Sequence, residues 1–223
     1  MSRASEENDV ETIREMLREF YAAAIENDHP CLRLDAEEVP AGMAEDVEDD
    51  GSVLWKMIPS TTSPAEIRRL ESGLRCPLPP MYRAYLRSYF HLFEHLVAFD
   101  SSHGKGGVGF ARMTPDDPFP TFRHANGELA SSFEAGLARR LFDLGFLLIG
   151  WSIHDRLAFD THFSDAEGDY EIVAISHALG DEFFESITSP PLPFELEDVS
   201  LHTQPVCDSF RKLVDVYFRY PVR

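Results

Sequence analysis

Ser63-Pro64-Ala65-Glu66-Ile67-Arg68-Arg69-Leu70-Glu71, followed closely by Leu78-Pro79-Pro80-Met81-Tyr82-Arg83-Ala84-Tyr85-Leu86, carries the strongest local signal in the chain. Ser63 supplies a hydroxyl at a helix start, and Pro64 fits the first helical position, where no amide partner is required. Glu66 is placed to reach back to the Ser63 amide, which completes a capping box. Ile67, Leu70 and Leu74 then recur on one face, and Pro77 ends the segment. Leu78-Pro79-Pro80 restarts a helix whose inner face carries Tyr82, Tyr85, Leu86 and Tyr89. The spacing predicts two short helices joined at a proline-rich corner.

Upstream, Val53–Ile58 reads as a short strand of large apolar residues, with Trp55 in it. Val10, Ile13, Met16, Leu17, Phe20, Tyr21 and Ala24 share one face of a first helix, opened by Asn8 and Glu11. Between them, Asp28–Gly51 loses periodicity and holds Asp35, Glu37, Glu38, Glu45, Asp46, Glu48, Asp49 and Asp50. It reads as a solvated flexible loop or an acidic arm. Downstream, Leu96–Asp100 and Val108–Arg112 read as strands around a glycine-rich turn, Asp116–Pro120 as a proline-rich loop, and Leu129–Leu144 as a helix. Gly145–Trp151, Leu157–Asp160 and Tyr170–Ser176 read as successive strands. A closing helix carries Val206, Phe210, Leu213, Val214, Tyr217 and Phe218 inward. Helices before and after a run of strands predict an α+β fold, a mainly antiparallel sheet flanked by helices. Residues 1–52 form an N-terminal helix and acidic loop, and residues 53–223 form the single α+β domain.

The 223 residues include 20 Lys plus Arg against 39 Asp plus Glu, a formal net charge of −19. Such a field repels nucleic acid and anionic lipid and attracts basic proteins. Three cysteines (Cys31, Cys76, Cys207) without a C-x-x-C pair argue for a reducing compartment and against a disulfide framework or zinc knuckle. No apolar run is long enough to span a bilayer, and the N-terminus has no signal-peptide core, so a cytoplasmic location is expected.

The order of these elements, with Trp55, Ile67, Leu70, Glu71 and Leu78, Pro79, Tyr82, Arg83, Tyr85, Leu86, resembles the SUKH superfamily. Its members show an I-x-x-L-E helix followed by L-P-x-x-Y-R-x-F/Y-L. The resemblance covers roughly residues 53–219, with Leu148–Gly150, Leu157–Asp160 and Asp208–Phe210 matching more loosely. The chain departs from the pattern at Arg75, where a glycine is usual, and at Phe90–Phe93, where an Asn-Gly turn is usual. The resemblance implies no catalysis and no cofactor. It implies a bacterial immunity protein, which binds and neutralises a toxin delivered between competing cells, often a nuclease, through a surface that varies among members. Eukaryotic relatives imply the alternative of a scaffold or regulatory interaction module.

The charge map points the same way independently. From Leu157 to Phe210 there is no Lys or Arg, while the stretch holds twelve Asp and Glu. A basic partner such as a nuclease would be steered to it, about 10–1000-fold in association rate. The contacts expected are Asp165, Glu167, Asp169, Glu171, Glu195, Glu197 and Asp198. A plain solubility surface would read the same way.

Three motifs suggest other chemistry. His91-Leu92-Phe93-Glu94-His95 matches H-x-x-E-H, which on a helix would set two zinc-binding imidazoles one turn apart with Glu94 as base, and Glu171 as third ligand. The neighbouring Leu92, Phe93, Leu96 and Val97 instead suggest a helix-to-strand junction packed in the core, with partly buried or surface histidines and no metal. Gly104–Gly109 satisfies G-x-G-x-x-G, but prolines rather than a helix follow it. Asp165–Asp169 resembles a calcium loop with its glycine misplaced, and a polar β-turn accounts for it better.

Overall fold

In the computed structural model, which describes residues 3–93, 96–101, 104–123, 133–152, 155–176, 179 and 195–219, the capping box forms as expected. The Glu66 carboxylate accepts the Ser63 amide at 2.8 Å, and Ser63 Oγ accepts the Glu66 amide at 3.3 Å. This starts helix α2 (Pro64–Leu74), and α3 (Pro80–Leu86) follows from Pro79. Arg75 ends α2 with φ of 57°, a left-handed conformation that glycine adopts without strain. The departure from the family pattern thus falls where a side chain is least favoured.

These helices belong to a first compact unit, Met1–Pro120 together with Arg211–Arg223. Helix α1 (Arg3–Glu26) buries Val10, Ile13, Met16, Leu17, Phe20 and Ala24, the face its periodicity predicts. Asp28–Gly51 is not a featureless loop. Strands β1 (Arg33–Asp35) and β2 (Ala44–Val47) flank β3 (Ser52–Trp55) in a three-stranded antiparallel sheet. Three or four residues are too few for alternation to be seen in sequence, and Leu32, Val39 and Met43 anchor the segment instead. Its acids stay exposed, and Glu45 and Asp46 charge the edge strand β2, which disfavours strand addition.

Strand β4 (Ile58–Pro59) pairs with β5 (Tyr89–Phe90), and β6 (Leu96–Ser101) with β7 (Gly104–Phe110), both antiparallel. The unit's core is aromatic. Trp55 lies edge-on to Phe93 at 4.8 Å, Phe93 to Phe20 at 5.1 Å, and Phe20 to Phe218 at 5.5 Å. Trp55 Nε1 donates to the Cys31 carbonyl and the Tyr21 hydroxyl to the Trp55 carbonyl, so both polar tips are satisfied. Burial raises the Tyr21 hydroxyl to about 12 and the Cys31 thiol to about 11.

The second unit, Thr121–Phe210, is a four-stranded antiparallel sheet with helices on it. After α4 (Pro120–Arg123) and α5 (Phe133–Asp143) come β8 (Phe146–Ser152), β9 (Asp155–Ser164) and β10 (Tyr170–Ser176). Helix α6 (Leu196–Leu201) leads into β11 (Thr203–Cys207), and α7 (Phe210–Arg219) starts from the unit's last residue. Neighbours in the sheet are β8–β9, β9–β10 and β10–β11. Leu141, Phe146, Ala158, Val173, Ile175, Leu179 and Val199 form its core. The α+β, mainly antiparallel class is that expected. Val206 lies in β11, not in the closing helix, because Ser209 and Asp208 intervene before the chain turns helical at Phe210.

Among the described residues, no helix is long and apolar enough to cross a membrane.

Candidate protein-binding surface

The seven acids expected to bind a partner all lie in the second unit, and the structure sorts them into two groups. Asp165, Glu167, Asp169 and Glu171 surround the β9–β10 turn, next to Tyr170 at the start of β10. Glu195, Glu197 and Asp198 start α6, which precedes β11. Since Thr203 pairs with Ile175 and Cys207 with Ile172, α6 joins the sheet at the other end of β10. Seven strand residues, roughly 20 Å at about 3.3 Å each, separate the groups. They do not form one contiguous patch.

Six of the seven are exposed, but Asp169 is buried, at 7% exposure. Its Oδ1 accepts the amides of Tyr170 at 3.1 Å and Phe210 at 3.4 Å, so it holds the start of α7. Asp165 Oδ1 accepts the amides of Glu167 at 2.8 Å and Asp169 at 2.9 Å, while its backbone accepts from Gly168. Gly168, at φ of 82°, makes this reversal without a side-chain penalty. The polar β-turn reading of Asp165–Asp169 therefore stands. Across the sheet, Asp198 accepts the Glu195 amide at 2.7 Å, Arg140 lies 3.8 Å from Glu195, and Glu197 faces water.

Residues that the sequence reading passed over shape the turn end. Strand β9 continues past Asp160 to Ser164. Tyr170 pairs with Ser164, but the next residue, Glu171, pairs with Asp160, which leaves Thr161, His162 and Phe163 as a bulge in β9. Thr161 donates twice to the Gly145 carbonyl, from its amide at 2.9 Å and its hydroxyl at 2.7 Å. His162 bonds Asp160 Oδ1 through its amide at 3.0 Å and through Nδ1 at 2.5 Å. Its ring lies edge-on to Phe146 at 5.4 Å. A Cβ at Gly145 would sit 2.8 Å from that ring, and Gly145 has φ of 86°, so only glycine fits. Phe163, next in the bulge, is 82% exposed. Period-two alternation places Phe163 with the buried Leu157 and Phe159. Nothing in that alternation signals the bulge, apart from the turn-forming Gly145 that locks it.

The H-x-x-E-H segment is not helical where it is described. Phe90 is in β5, and His91 makes an antiparallel bridge with Met113. His91 is fully buried, its Nε2 bonded to the Tyr85 hydroxyl at 2.5 Å. Burial pushes its pKa down to about 3, so the imidazole is neutral. Glu94 and His95 lie outside the described residues, and Glu171 stands exposed in the second unit. Among the described residues, no three His, Cys, Asp or Glu side chains converge to hold a metal. Gly104–Gly109 falls inside β7, where Gly107 pairs with Val97 and Gly104 with Ser101, so these glycines form a strand rather than the expected turn and open no helix. The three cysteines form no disulfide, and burial raises the thiol pKa of Cys31 and Cys76.

The family-like residues close on one another instead. Glu71 Oε1 accepts the Leu78 amide at 2.8 Å, Arg83 Nε donates to the Leu78 carbonyl at 2.9 Å, and Arg83 lies 3.5 Å from Glu71. The corner between α2 and α3 is thus clasped by a carboxylate and a guanidinium that satisfy both backbone groups of buried Leu78. A scan of the chain against models of protein families finds no match, and a search of curated proteins finds none either.

Proposed function

We propose that the chain is an immunity protein, which binds and neutralises a cognate interbacterial toxin in the cytoplasm by stoichiometric protein–protein contact. The observation that carries this reading is the lysine- and arginine-free stretch from Leu157 to Phe210, whose described acids other than Asp160 and Asp169 are exposed. A basic enzyme, such as a nuclease whose cleft binds phosphate, meets an attractive field there and is occluded once docked. The SUKH-like helix corner supports the same reading, and its clasp leaves the motif residues to folding and the surface acids to recognition.

The test is a pull-down with the tagged full chain, washed at low and then moderate salt. One basic, toxin-like protein in 1:1 proportion is the expected outcome. Reversing Glu167, Glu171 and Glu197 together to Lys, which leaves the backbone-holding Asp165 in place, should then weaken its binding at least 100-fold and flatten the salt dependence. Binding unchanged by that reversal sinks the acidic-interface reading.

A further inference from the structure

Among the described residues, Phe163 is the one strongly exposed aromatic side chain, and its setting is unlike that of a stray surface residue. On one side stands the bulge, locked by the paired Thr161 bonds to Gly145 and by the Asp160–His162 bonds. On the other stands the turn that Asp165 holds through two amides. Phe163 sits between two fixed backbones, so little freedom is lost when a partner covers the ring. A single exposed apolar residue needs no explanation in itself. A bulge that breaks strand pairing, needs a glycine at Gly145 and ends by placing a phenylalanine in water is a different matter, because bulges re-aim side chains.

The surroundings specify what covers it. Asp165, Glu167 and Glu171 are exposed nearby on the same hairpin, and no Lys or Arg follows Arg156 before Arg211. Arg156 itself pairs with Ile175, far down the sheet from the turn. An exposed ring on an acidic hairpin offers what a binding hot spot uses, an aromatic anchor with charged residues close by in the chain. The second apolar residue exposed to a similar degree, Leu201 at 83%, ends α6 at the other end of the sheet and has no comparable bracing among the described contacts.

We infer that Phe163 is the anchor by which this chain docks its partner, a protein presenting an apolar pocket rimmed by Lys and Arg. The inference rests on the immunity reading and names the contact that reading leaves open.

The experiment places p-benzoylphenylalanine at position 163 of the full chain, irradiates cells carrying it, and identifies the cross-linked protein by mass spectrometry. The affinity of that protein for the wild type, Phe163→Ala and Phe163→Trp is then measured by calorimetry. The expected result is a basic protein whose binding weakens at least 30-fold with Phe163→Ala, keeps most of its strength with Phe163→Trp, and weakens as salt rises. An unchanged melting curve for Phe163→Ala separates lost contact from lost folding. Three outcomes overturn the inference: no cross-link, a cross-link to a second copy of this chain, or an affinity that Phe163→Ala leaves within 3-fold. If the tagged wild type still recovers a toxin in any of these cases, the immunity reading stands and only the anchor falls. If neither experiment yields a basic partner, both fall.

Discussion

The α2–α3 corner and the β9–β10 hairpin both contain charged side chains bonded to backbone, yet they use them in opposite ways. At the corner, Glu71 and Arg83 face each other across Leu78, and charge, amide and carbonyl are all satisfied internally. At the hairpin, Asp165 and Asp169 hold the backbone while Glu167, Glu171 and Phe163 are left to solvent. The corner is finished by folding alone. The hairpin instead leaves an aromatic ring and several carboxylates to solvent, which is the arrangement the proposed docking requires.

Mutation of the core should give the largest contrast. Trp55→Ala removes a fully buried ring packed edge-on to Phe93 and should lower stability by about 3–5 kcal/mol in urea unfolding, whereas Phe163→Ala should stay within about 0.5 kcal/mol of wild type. A large loss from Phe163→Ala would erase the distinction between the two regions.

Acid should act through the buried His91. Its folded pKa of about 3 lies below the ordinary 6.5, so the unfolded chain binds the extra proton, and stability rises with pH across that window. Relative to the Tyr85→Phe/His91→Phe double variant, the wild type should lose about 1.4 kcal/mol per pH unit as pH falls from about 6.5 towards 3. Parallel stability–pH curves for the two proteins would show that His91 is not held neutral. The double variant removes both polar partners together, so it avoids stranding the Tyr85 hydroxyl.

Smaller effects test the corner. Glu71→Ala should cost about 1–3 kcal/mol, because the buried Leu78 amide loses its acceptor and Arg83 its counter-charge. Guanidinium unfolding that shows no loss would mean the clasp is replaced by water. Smallest of all, Arg75→Gly should raise the melting temperature, by a stabilisation of about 0.5–1 kcal/mol, since φ of 57° favours glycine. A lower melting temperature would mean that the arginine side chain contributes more than its backbone strain costs.

Several elements were legible from residue order because their signals are local. The capping box, the buried face of α1 and the strand at Tyr170–Ser176 depend on spacings of two, three or four residues. Elements set by pairing were not. Strands β1 and β2 are too short to alternate, and Gly104–Phe110 reads as a turn until β6 lies beside it. The candidate surface was half legible: its acids could be counted, but not which were used internally. Asp169 counts as an acid in sequence and serves as a buried acceptor in the structure.

Residue order alone determines the α+β class, the two helices joined at Leu78-Pro79-Pro80 and the acidic balance of the last third, since propensity, capping and charge are properties of neighbours along the chain. Only tertiary packing decides that His91 is sealed against Tyr85, that the two acidic groups stand at opposite ends of β10, and that Phe163 faces water. Each of those depends on contacts between residues far apart in sequence. A register shift in β9, held by the turn glycine that precedes β8, is invisible until the strands are paired.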